Sequence, residues 1–217
     1  MIEFYNVDLD IDQKPILRNI SFRILKGEFI YLVGPSGAGK SSVLRLLYMD
    51  LFPDKGTVII DRYSSAKIKN KEIPFLRRQL GVVFQDFKLL PDRNVFDNVA
   101  FALRVTGVRN NEIKRRVLRV LADVNLAHKR NHFPDELSGG EQQRTAIARA
   151  IVNNPIIILA DEPTGNLDAA TSLEIMEILN KINKQGTAVL MATHNNELIK
   201  QYPNRLIKLT AGGMDKR

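Results

Sequence analysis

The sequence predicts an α/β fold: a mostly parallel sheet between helices, a small N-terminal antiparallel β-subdomain and an inserted α-helical subdomain. Four short apolar runs rich in β-branched residues are near-continuous rather than alternating, which is typical of central strands covered on both faces. Helical patterns follow or separate these runs, and this alternation favours parallel strands. The 217 residues suffice for one such domain with a large core.

The predicted elements follow in chain order. Short strands at residues 2–7, 16–24 and 57–61 would form the antiparallel sheet. Amphipathic helices are predicted where apolar residues recur at three- and four-residue spacings, at 39–48, 113–124 and 173–182. The central strands are predicted at 29–33, 82–84, 156–160 and 188–192. Residues 87–154 show helical patterns without a convincing strand, so we interpret them as a helical subdomain inserted into a single domain, 1–217, whose core is 1–86 and 155–217.

Composition restricts the function classes. The absence of cysteine excludes disulfides and thiolate metal sites and fits a reducing cytoplasm. No apolar run approaches the ~20 residues of a membrane helix. The net charge of +8 favours an anionic partner, such as a nucleotide, a nucleic acid or the inner face of a membrane. Basic clusters at 62–78 and 114–119 are either solvated faces or part of such a contact, and the lack of interleaved aromatic residues weakens the nucleic-acid interpretation.

A glycine-rich loop after the first central run has the spacing of a phosphate-binding loop, G-x-x-x-x-G-K-[ST]. In this pattern backbone amides surround phosphate oxygens, Lys40 supplies a point charge to the β and γ phosphates, and the Ser41 hydroxyl binds Mg²⁺. The predicted ATP-binding residues of the loop are Gly34, Pro35, Ser36, Gly37, Ala38, Gly39, Lys40, Ser41 and Ser42.

A candidate site residue follows every predicted central strand, and the first run is followed by Gly34 of the glycine-rich loop. Gln85 follows the second run, Asp161 and Glu162 follow the third, and His194 comes just after the fourth. The carboxyl edge of a parallel sheet is where ligands bind, so we expect these side chains to meet there. Asp161 would hold Mg²⁺ largely through water, and Gln85 would contact the metal and the attacking water. Glu162 would polarise that water, and His194 would contact the γ phosphate and orient Glu162.

A second anion site is predicted at Ser138-Gly139-Gly140, where a hydroxyl N-cap precedes two residues without a Cβ at a helix start. Because this run lies in the helical insertion, we do not expect it to fold over its own phosphate loop. A second copy of the chain could bring it there. Two ATP molecules would then lie in the interface of a two-fold homodimer that hydrolysis loosens.

These motifs resemble the nucleotide-binding domain of the ATP-binding cassette (ABC) superfamily over essentially the whole chain, which implies a RecA-like P-loop core. The motifs resembled are Walker A at 34–41, the Q-loop at Gln85, the signature at 137–142, Walker B with the catalytic glutamate at 157–162, the D-loop at 165–168 and the H-loop at His194. The resemblance adds Glu141, Gln142 and Asp168 to the ATP contacts made across the dimer. It also puts Ile11, which can offer only apolar contact, where cassettes stack an aromatic residue on adenine.

Two stretches, 74–81 and 89–99, are most similar to the cell-division branch of this superfamily. That similarity implies an ATPase dimer on the inner face of the cell membrane, driving an integral permease-like partner of the FtsX type that controls peptidoglycan hydrolases. We expect residues 87–103 to belong to the docking surface. Residues 160–168 are also similar to ATPases of lipoprotein-release and macrolide-export transporters, which is the alternative.

Two further hypotheses come from other classes. A soluble cassette ATPase acting on DNA or ribosomes is compatible with the positive charge, but a short single cassette argues against it. A P-loop small-molecule kinase would explain residues 34–41 but not Ser138, Glu162 or His194. Release of free phosphate separates an ATPase from such a kinase.

Overall fold

The computed structural model describes residues 1–210 and 213–215. Residues 211, 212, 216 and 217, the remainder of the segment 155–217 that was predicted to belong to the α/β part of the domain, lie outside the described part. The strands are β1 Ile2–Ile11, β2 Lys14–Ile24, β3 Phe29–Val33, β4 Lys55–Ile60, β5 Tyr63–Ser64, β6 Leu80–Val83, β7 Ile157–Asp161, β8 Ala188–Ala192, β9 Arg205–Thr210 and β10 Gly213–Met214. The α-helices are α1 Lys40–Leu47, α2 Ile73–Arg77, α3 Val95–Arg104, α4 Asn110–Asp123, α5 Gly139–Ile151, α6 Ala169–Lys184 and α7 Asn196–Gln201.

The larger sheet has the strand order β10-β9-β3-β8-β7-β6. Strands β9, β3, β8, β7 and β6 pair in parallel, and β10 adds an antiparallel edge. Successive residues of β3 enter different apolar cores, since Ile30 and Leu32 pack on one face and Tyr31 on the other. This two-sided burial is why the central strands are near-continuous apolar runs. The predicted α/β fold with a mostly parallel sheet is confirmed.

Strand β9 was not predicted from the sequence. Along it the buried residues alternate with exposed ones, and only Ile207 and Leu209 lie in the core. Leu206 and Lys208 are exposed on the other face. The strand extends the parallel sheet beside β3, with Ile207 opposite Leu32. A six-residue strand that is half polar does not have the apolar run by which the other central strands were recognised.

The second sheet is antiparallel, with the order β2-β1-β4-β5, as predicted for the N-terminal region. Strands β1 and β2 are longer than predicted because their pairing continues through several register shifts. Asn6 and Asn19 adopt positive φ there, at 46° and 50°, which asparagine tolerates better than most residues. Bulges of this kind allow an extra residue without ending the ladder.

The elements between β6 and β7 are the helices α3, α4 and α5 and two short 3-10 turns. Their apolar faces form a shared core with Val99 and Leu103 from α3, Val117 from α4 and Ile147 from α5. Helix α5 also packs closely on the sheet at Gly81 of β6. A Cβ at that position would lie only 2.7 Å from the Ala150 carbonyl oxygen. The boundaries of the helical subdomain at residues 87 and 154 stay predictions.

In residues 1–210 and 213–215, no helix combines the length and the apolar character needed to cross a bilayer.

Candidate active site at the carboxyl edge of the sheet

The predicted site residues follow neighbouring strands at one edge of the larger sheet. Gly34 follows β3, Asp161 ends β7 and His194 follows β8 by two residues. Because β3 and β7 both pair with β8 in parallel, these positions are adjacent in space. Gln85 follows β6, which pairs with β7.

The loop from Gly34 to Gly39 curls around the side chain of Lys40. The backbone of Gly37 and Gly39 has φ of 77° and 93°, a region that favours glycine. Lys40 is buried, and its Nζ donates to the carbonyl oxygens of Gly34 at 2.9 Å and Pro35 at 3.1 Å. Gly39 caps α1 without any side-chain hydrogen bond to the helix. The first amides of α1 are therefore available to an anion.

Glu162 lies between the side chains of Lys40 and His194. Its Oε2 is 2.9 Å from His194 Nδ1, and its Oε1 is 4.0 Å from Lys40 Nζ. The Glu162 side chain is 20% exposed and that of His194 is 69% exposed, so the histidine stands at the mouth of the site. The Glu162 backbone has φ of 46° and its N–H donates to the Ala192 carbonyl at 3.0 Å. Such strained backbone in non-glycine residues is concentrated at functional sites.

The environment of Asp161 disfavours its charged form. Burial is the main cause that raises the pKa of this carboxyl, and the neighbouring Glu162 raises it further, whereas the hydrogen bond from Ser41 and the charge of Lys40 lower it. A half-buried carboxylate beside a hydroxyl gives the hard oxygen donors that Mg²⁺ prefers. The described residues contain no group of three His, Cys, Asp or Glu side chains that could hold a metal alone. The Ser41 hydroxyl and the Asp161 carboxylate fit Mg²⁺, which is usually bound through one or two carboxylates beside substrate phosphates.

Gln85 is placed beside a different segment. Its Nε2 donates to Asn166 Oδ1 at 3.4 Å, and Asn166 Nδ2 donates to the Gln85 carbonyl at 3.1 Å. A Cβ on Gly165 would lie 3.0 Å from Gln85 Nε2. Within the described part of the chain Gln85 has no hydrogen bond to Ser41 or Asp161. The structure thus joins Gln85 to the predicted D-loop, a link that the sequence did not indicate.

Ser138 caps α5 as predicted, and the cap is reciprocal. The Ser138 hydroxyl accepts from the Glu141 N–H at 3.3 Å, and a Glu141 carboxylate oxygen accepts from the Ser138 N–H at 2.9 Å. These backbone and side-chain bonds, with the nearby Lys129, lower the pKa of Glu141. The S-x-x-E spacing of this capping box is readable in the sequence, but Glu141 was interpreted there only as an ATP contact.

The start of α5 packs directly on the start of α6. A Cβ on Gly140 would lie 2.5 Å from Thr171 Cγ2, and one on Gly139 would lie 3.3 Å from Leu167 Cδ2. Asp168 caps α6, since its carboxylate accepts from the Thr171 N–H at 2.9 Å and from the Thr171 hydroxyl. The two predicted trans-acting segments, 138–142 and 165–168, therefore form one continuous surface.

We expect Gly140→Ala to lower the free energy of unfolding by about 1–3 kcal/mol, because the new methyl group overlaps Thr171 Cγ2. Thr171→Ser removes that methyl group and keeps the hydroxyl that Asp168 accepts from, so it should restore much of the loss in the double variant. Denaturant unfolding of the two single variants and the double variant measures this. Additive effects would show that the two residues are not coupled.

Two further residues fix the segment after Gln85 and were missed from the sequence. The Asn98 amide is fully buried; its Oδ1 accepts from the Leu90 N–H at 2.8 Å, and its Nδ2 donates to the Arg93 carbonyl at 2.7 Å. The Arg149 guanidinium donates to the carbonyls of Phe87 and Lys88, both of which have positive φ. Nothing in the local sequence distinguishes these side chains from ordinary polar residues of helices.

The structure divides the predicted docking segment, 87–103, into two parts. Val95, Val99 and Leu103 of α3 are buried in the shared core, so they are not accessible to a partner. Residues 87–93 are partly or fully exposed and lie beside the site. Ile11, the predicted adenine contact, packs against the core at the end of β1, and its role stays a prediction.

Comparison with known proteins decides the family. The family model described as ABC transporter matches residues 17–165. The chain belongs to this ATP-binding cassette family. The cassette is 57% identical over 196 residues to the cell division ATP-binding protein FtsE of Bacillus subtilis, covering 90% of this chain and 86% of that protein. It is 45% identical over 213 residues to FtsE of Escherichia coli, covering 98% and 96%.

Solved structures agree with this assignment. The cassette superposes with a TM-score of 0.88 on MJ0796, an ATP-binding cassette solved as a dimer in a post-hydrolysis state bound to ADP and Pi. The two sequences are 36% identical, and the alignment covers 100% of this chain and 97% of that one. The cassette also superposes with a TM-score of 0.91 on cbiO1 of Clostridium perfringens, at 27% identity, over 99% and 86% of the two chains.

Proposed function

We propose that this cassette is the ATP-hydrolysing subunit of an FtsEX-type complex in cell division. The observation that carries the ATPase activity is the Glu162 carboxylate, which lies between Lys40 and His194 at the mouth of the phosphate-binding loop. The similarity to FtsE proteins over nearly the whole chain supports the cell-division role. Neither relative is named as a lipoprotein-release or macrolide-export ATPase, so no comparison favours that alternative.

Each residue has a distinct task in hydrolysis. The amides of 34–41 and the Lys40 ammonium bind the phosphates, with phosphate oxygens replacing the carbonyls of Gly34 and Pro35 as partners of Nζ. Glu162 accepts a proton from the attacking water. His194 holds the Glu162 carboxylate in position through Nδ1 and presents its other ring nitrogen to the γ phosphate.

Ser41 and Asp161 would hold Mg²⁺ with the phosphates of ATP, and Gln85 would join them after leaving Asn166. The ion would neutralise the charge that develops on the phosphate oxygens. The hydrogen bond between Ser41 and Asp161 keeps these two oxygen donors together before nucleotide binds.

ATP is bound between two copies of the chain. The Ser138 hydroxyl and the amides of Gly139 and Gly140 of one copy would contact the γ phosphate held by the other copy's phosphate loop, and Glu141, Gln142 and Asp168 would complete that surface. Ser138 is exposed, and Gly139 and Gly140 contact α6 and the segment at 167 rather than a side chain of the phosphate loop. Dimeric MJ0796 provides a related precedent for such an assembly.

An integral membrane partner of the FtsX type would dock on residues 87–93 and hold the dimer at the inner face of the cell membrane. Arg93 stacks on Phe101 at 4.5 Å from the ring centroid, and Asp92 is exposed at the tip. Asn98 and Arg149 connect this segment to α3 and to α5. A displacement of the segment by the partner would therefore be transmitted to α5, the signature helix, which begins at the predicted signature motif.

We expect the double variant Asp92→Arg with Leu89→Glu to lose co-purification with the membrane partner while the isolated protein hydrolyses ATP at the wild-type rate. A matched control is Asp135→Arg, which reverses an exposed aspartate elsewhere in the helical region. Affinity purification of the complex from membranes and phosphate release by the isolated protein are the two readouts. Undiminished co-purification of the double variant would refute the docking assignment.

A further inference from the structure

A groove of about 790 Å³ lies at the amino-terminal edge of the sheet, opposite the candidate ATP site. It is lined by the turn after β2, one face of α4, the ends of α5 and α6, and the starts of β1, β7 and β8. Strands β7 and β8 run from this groove to Asp161 and Ala192. A ligand here would therefore lie roughly 15 Å from the nucleotide, at about 3.3 Å per residue of strand, and would not compete with it.

The groove exposes apolar side chains that the fold does not cover. Leu25 is 47% exposed and Ile156 is 39% exposed, although both are large aliphatic residues. Ile24 and Ile182 form the buried floor next to them. Exposed aliphatic side chains that gather in one concavity are typical of binding sites, whereas single ones scattered over a surface are not.

One wall of the groove is cationic. Arg115, Arg116 and Arg119 recur at spacings of one, three and four residues along α4 and all line the groove. Arg116 is neutralised by Glu112 at 2.6 Å, but Arg115 is 4.0 Å from the same carboxylate. In residues 1–210 and 213–215, Arg119 and Lys26 have no carboxylate within 4.0 Å.

The groove also contains carboxylates, and they restrict what it can bind. Asp61 and Asp123 line it together with Glu112, and Asp123 is 4.0 Å from Lys181. A flat anionic membrane would meet these acidic groups and could not reach the recessed Ile182. A peptide can place discrete carboxylates on the arginines and apolar side chains between them.

We propose that this groove binds a short, acidic, amphipathic segment of a partner protein. Apolar side chains of the segment pack on Leu25 and Ile156, and its carboxylates pair with Arg115, Arg119 and Lys26. Arginine is suited to this task because its planar fork pairs with a carboxylate in bidentate geometry. The bound segment joins α4 of the helical region to β7 and β8 of the sheet, so it connects the two parts of the chain.

A random library of short displayed peptides, panned on the full chain, tests this proposal. We expect the enriched peptides to combine Asp or Glu with aliphatic residues. Their affinity, measured by fluorescence polarisation, should fall at least about tenfold in the Arg115→Glu, Arg119→Glu double variant. The matched control is Lys114→Glu, an exposed charge on the same helix that does not line the groove, and it should change affinity less than about twofold.

Leu25→Ser tests the apolar part, with Val105→Ser as the control at another exposed aliphatic residue. Thermal unfolding and ATP hydrolysis should be unchanged in all these variants, which separates lost binding from misfolding and from failure of the proposed ATPase function. The proposal would be overturned if the enriched peptides bound the double variant as well as the wild type. It would also be overturned if panning on the wild type enriched no peptide relative to panning on the double variant. Binding to phosphatidylglycerol vesicles with the same arginine dependence, and no peptide binding, would also overturn it in favour of a lipid.

Discussion

Glu162→Gln is expected to lower the rate of ATP hydrolysis at least about 100-fold while ATP binding is retained. The amide has nearly the same shape as the carboxylate but cannot accept the proton of the attacking water. Lys40 and the loop at 34–41 are untouched, so the phosphates still bind. The variant should therefore accumulate as a dimer with ATP and Mg²⁺, which size-exclusion chromatography with and without nucleotide detects.

The matched control is Glu177→Gln, which makes the same change at an exposed position of α6. It should hydrolyse ATP at the wild-type rate and release free phosphate. If Glu162→Gln kept more than about a tenth of the wild-type rate, Glu162 would not be the general base. If it bound ATP normally but stayed monomeric at saturating ATP, the isolated protein would not form the proposed dimer.

Asp161→Asn is expected to change stability and activity in opposite directions. Because burial raises the pKa of Asp161, the nucleotide-free fold is less stable with this carboxyl charged than with it neutral. A neutral amide should therefore raise the Tm of the nucleotide-free protein by about 1–4 °C. The same change removes an oxygen charge that would hold Mg²⁺, so the further rise in Tm on adding ATP with Mg²⁺ should be lost, together with hydrolysis.

The pH dependence of stability checks the same residue. The folded state binds a proton at Asp161 more tightly than the unfolded chain does, so this group makes the free energy of unfolding fall as pH rises. The fall begins near the ordinary pKa of aspartate and is complete above the raised pKa of the folded state. Asp161→Asn should remove this part of the slope, and Asp135→Asn, at an exposed aspartate, should not. An unchanged slope in Asp161→Asn would contradict the assignment.

The site could be predicted from the sequence where local segments carry it. Residues 34–41, the pair Asp161–Glu162 and Ser138 each belong to a short motif whose backbone conformation and chemistry are encoded within a few residues. The common location of residues 34–41 and the pair Asp161–Glu162 followed from one rule, that parallel strands present their carboxyl ends at the same edge. The α/β fold could also be predicted locally, because near-continuous apolar runs are typical of strands that are covered on both faces.

What the sequence did not predict depends on distant contacts. Asn98 and Arg149 hold residues 87–93 through side-chain bonds to backbone carbonyls, and such bonds leave no periodic pattern. The groove at Leu25 and Ile156 combines segments more than a hundred residues apart. Strand β9 was missed because half of its residues are polar, so it has no continuous apolar run. Its place in the sheet depends on its pairing with the distant strand β3.

The central claim is that ATP is held between the phosphate loop of one copy and the signature helix of another. The chain has no native cysteine, so Ser36→Cys and Ser138→Cys, two exposed positions, can each be introduced alone in the Glu162→Gln background. An equal mixture of the two proteins is then treated with a short bifunctional thiol reagent. We expect a covalent dimer to form with ATP and Mg²⁺ and not without nucleotide. Normal ATP binding with no covalent dimer in the mixture would contradict the claim. In a third variant that carries both cysteines, a cross-link that forms only within one chain would also contradict it.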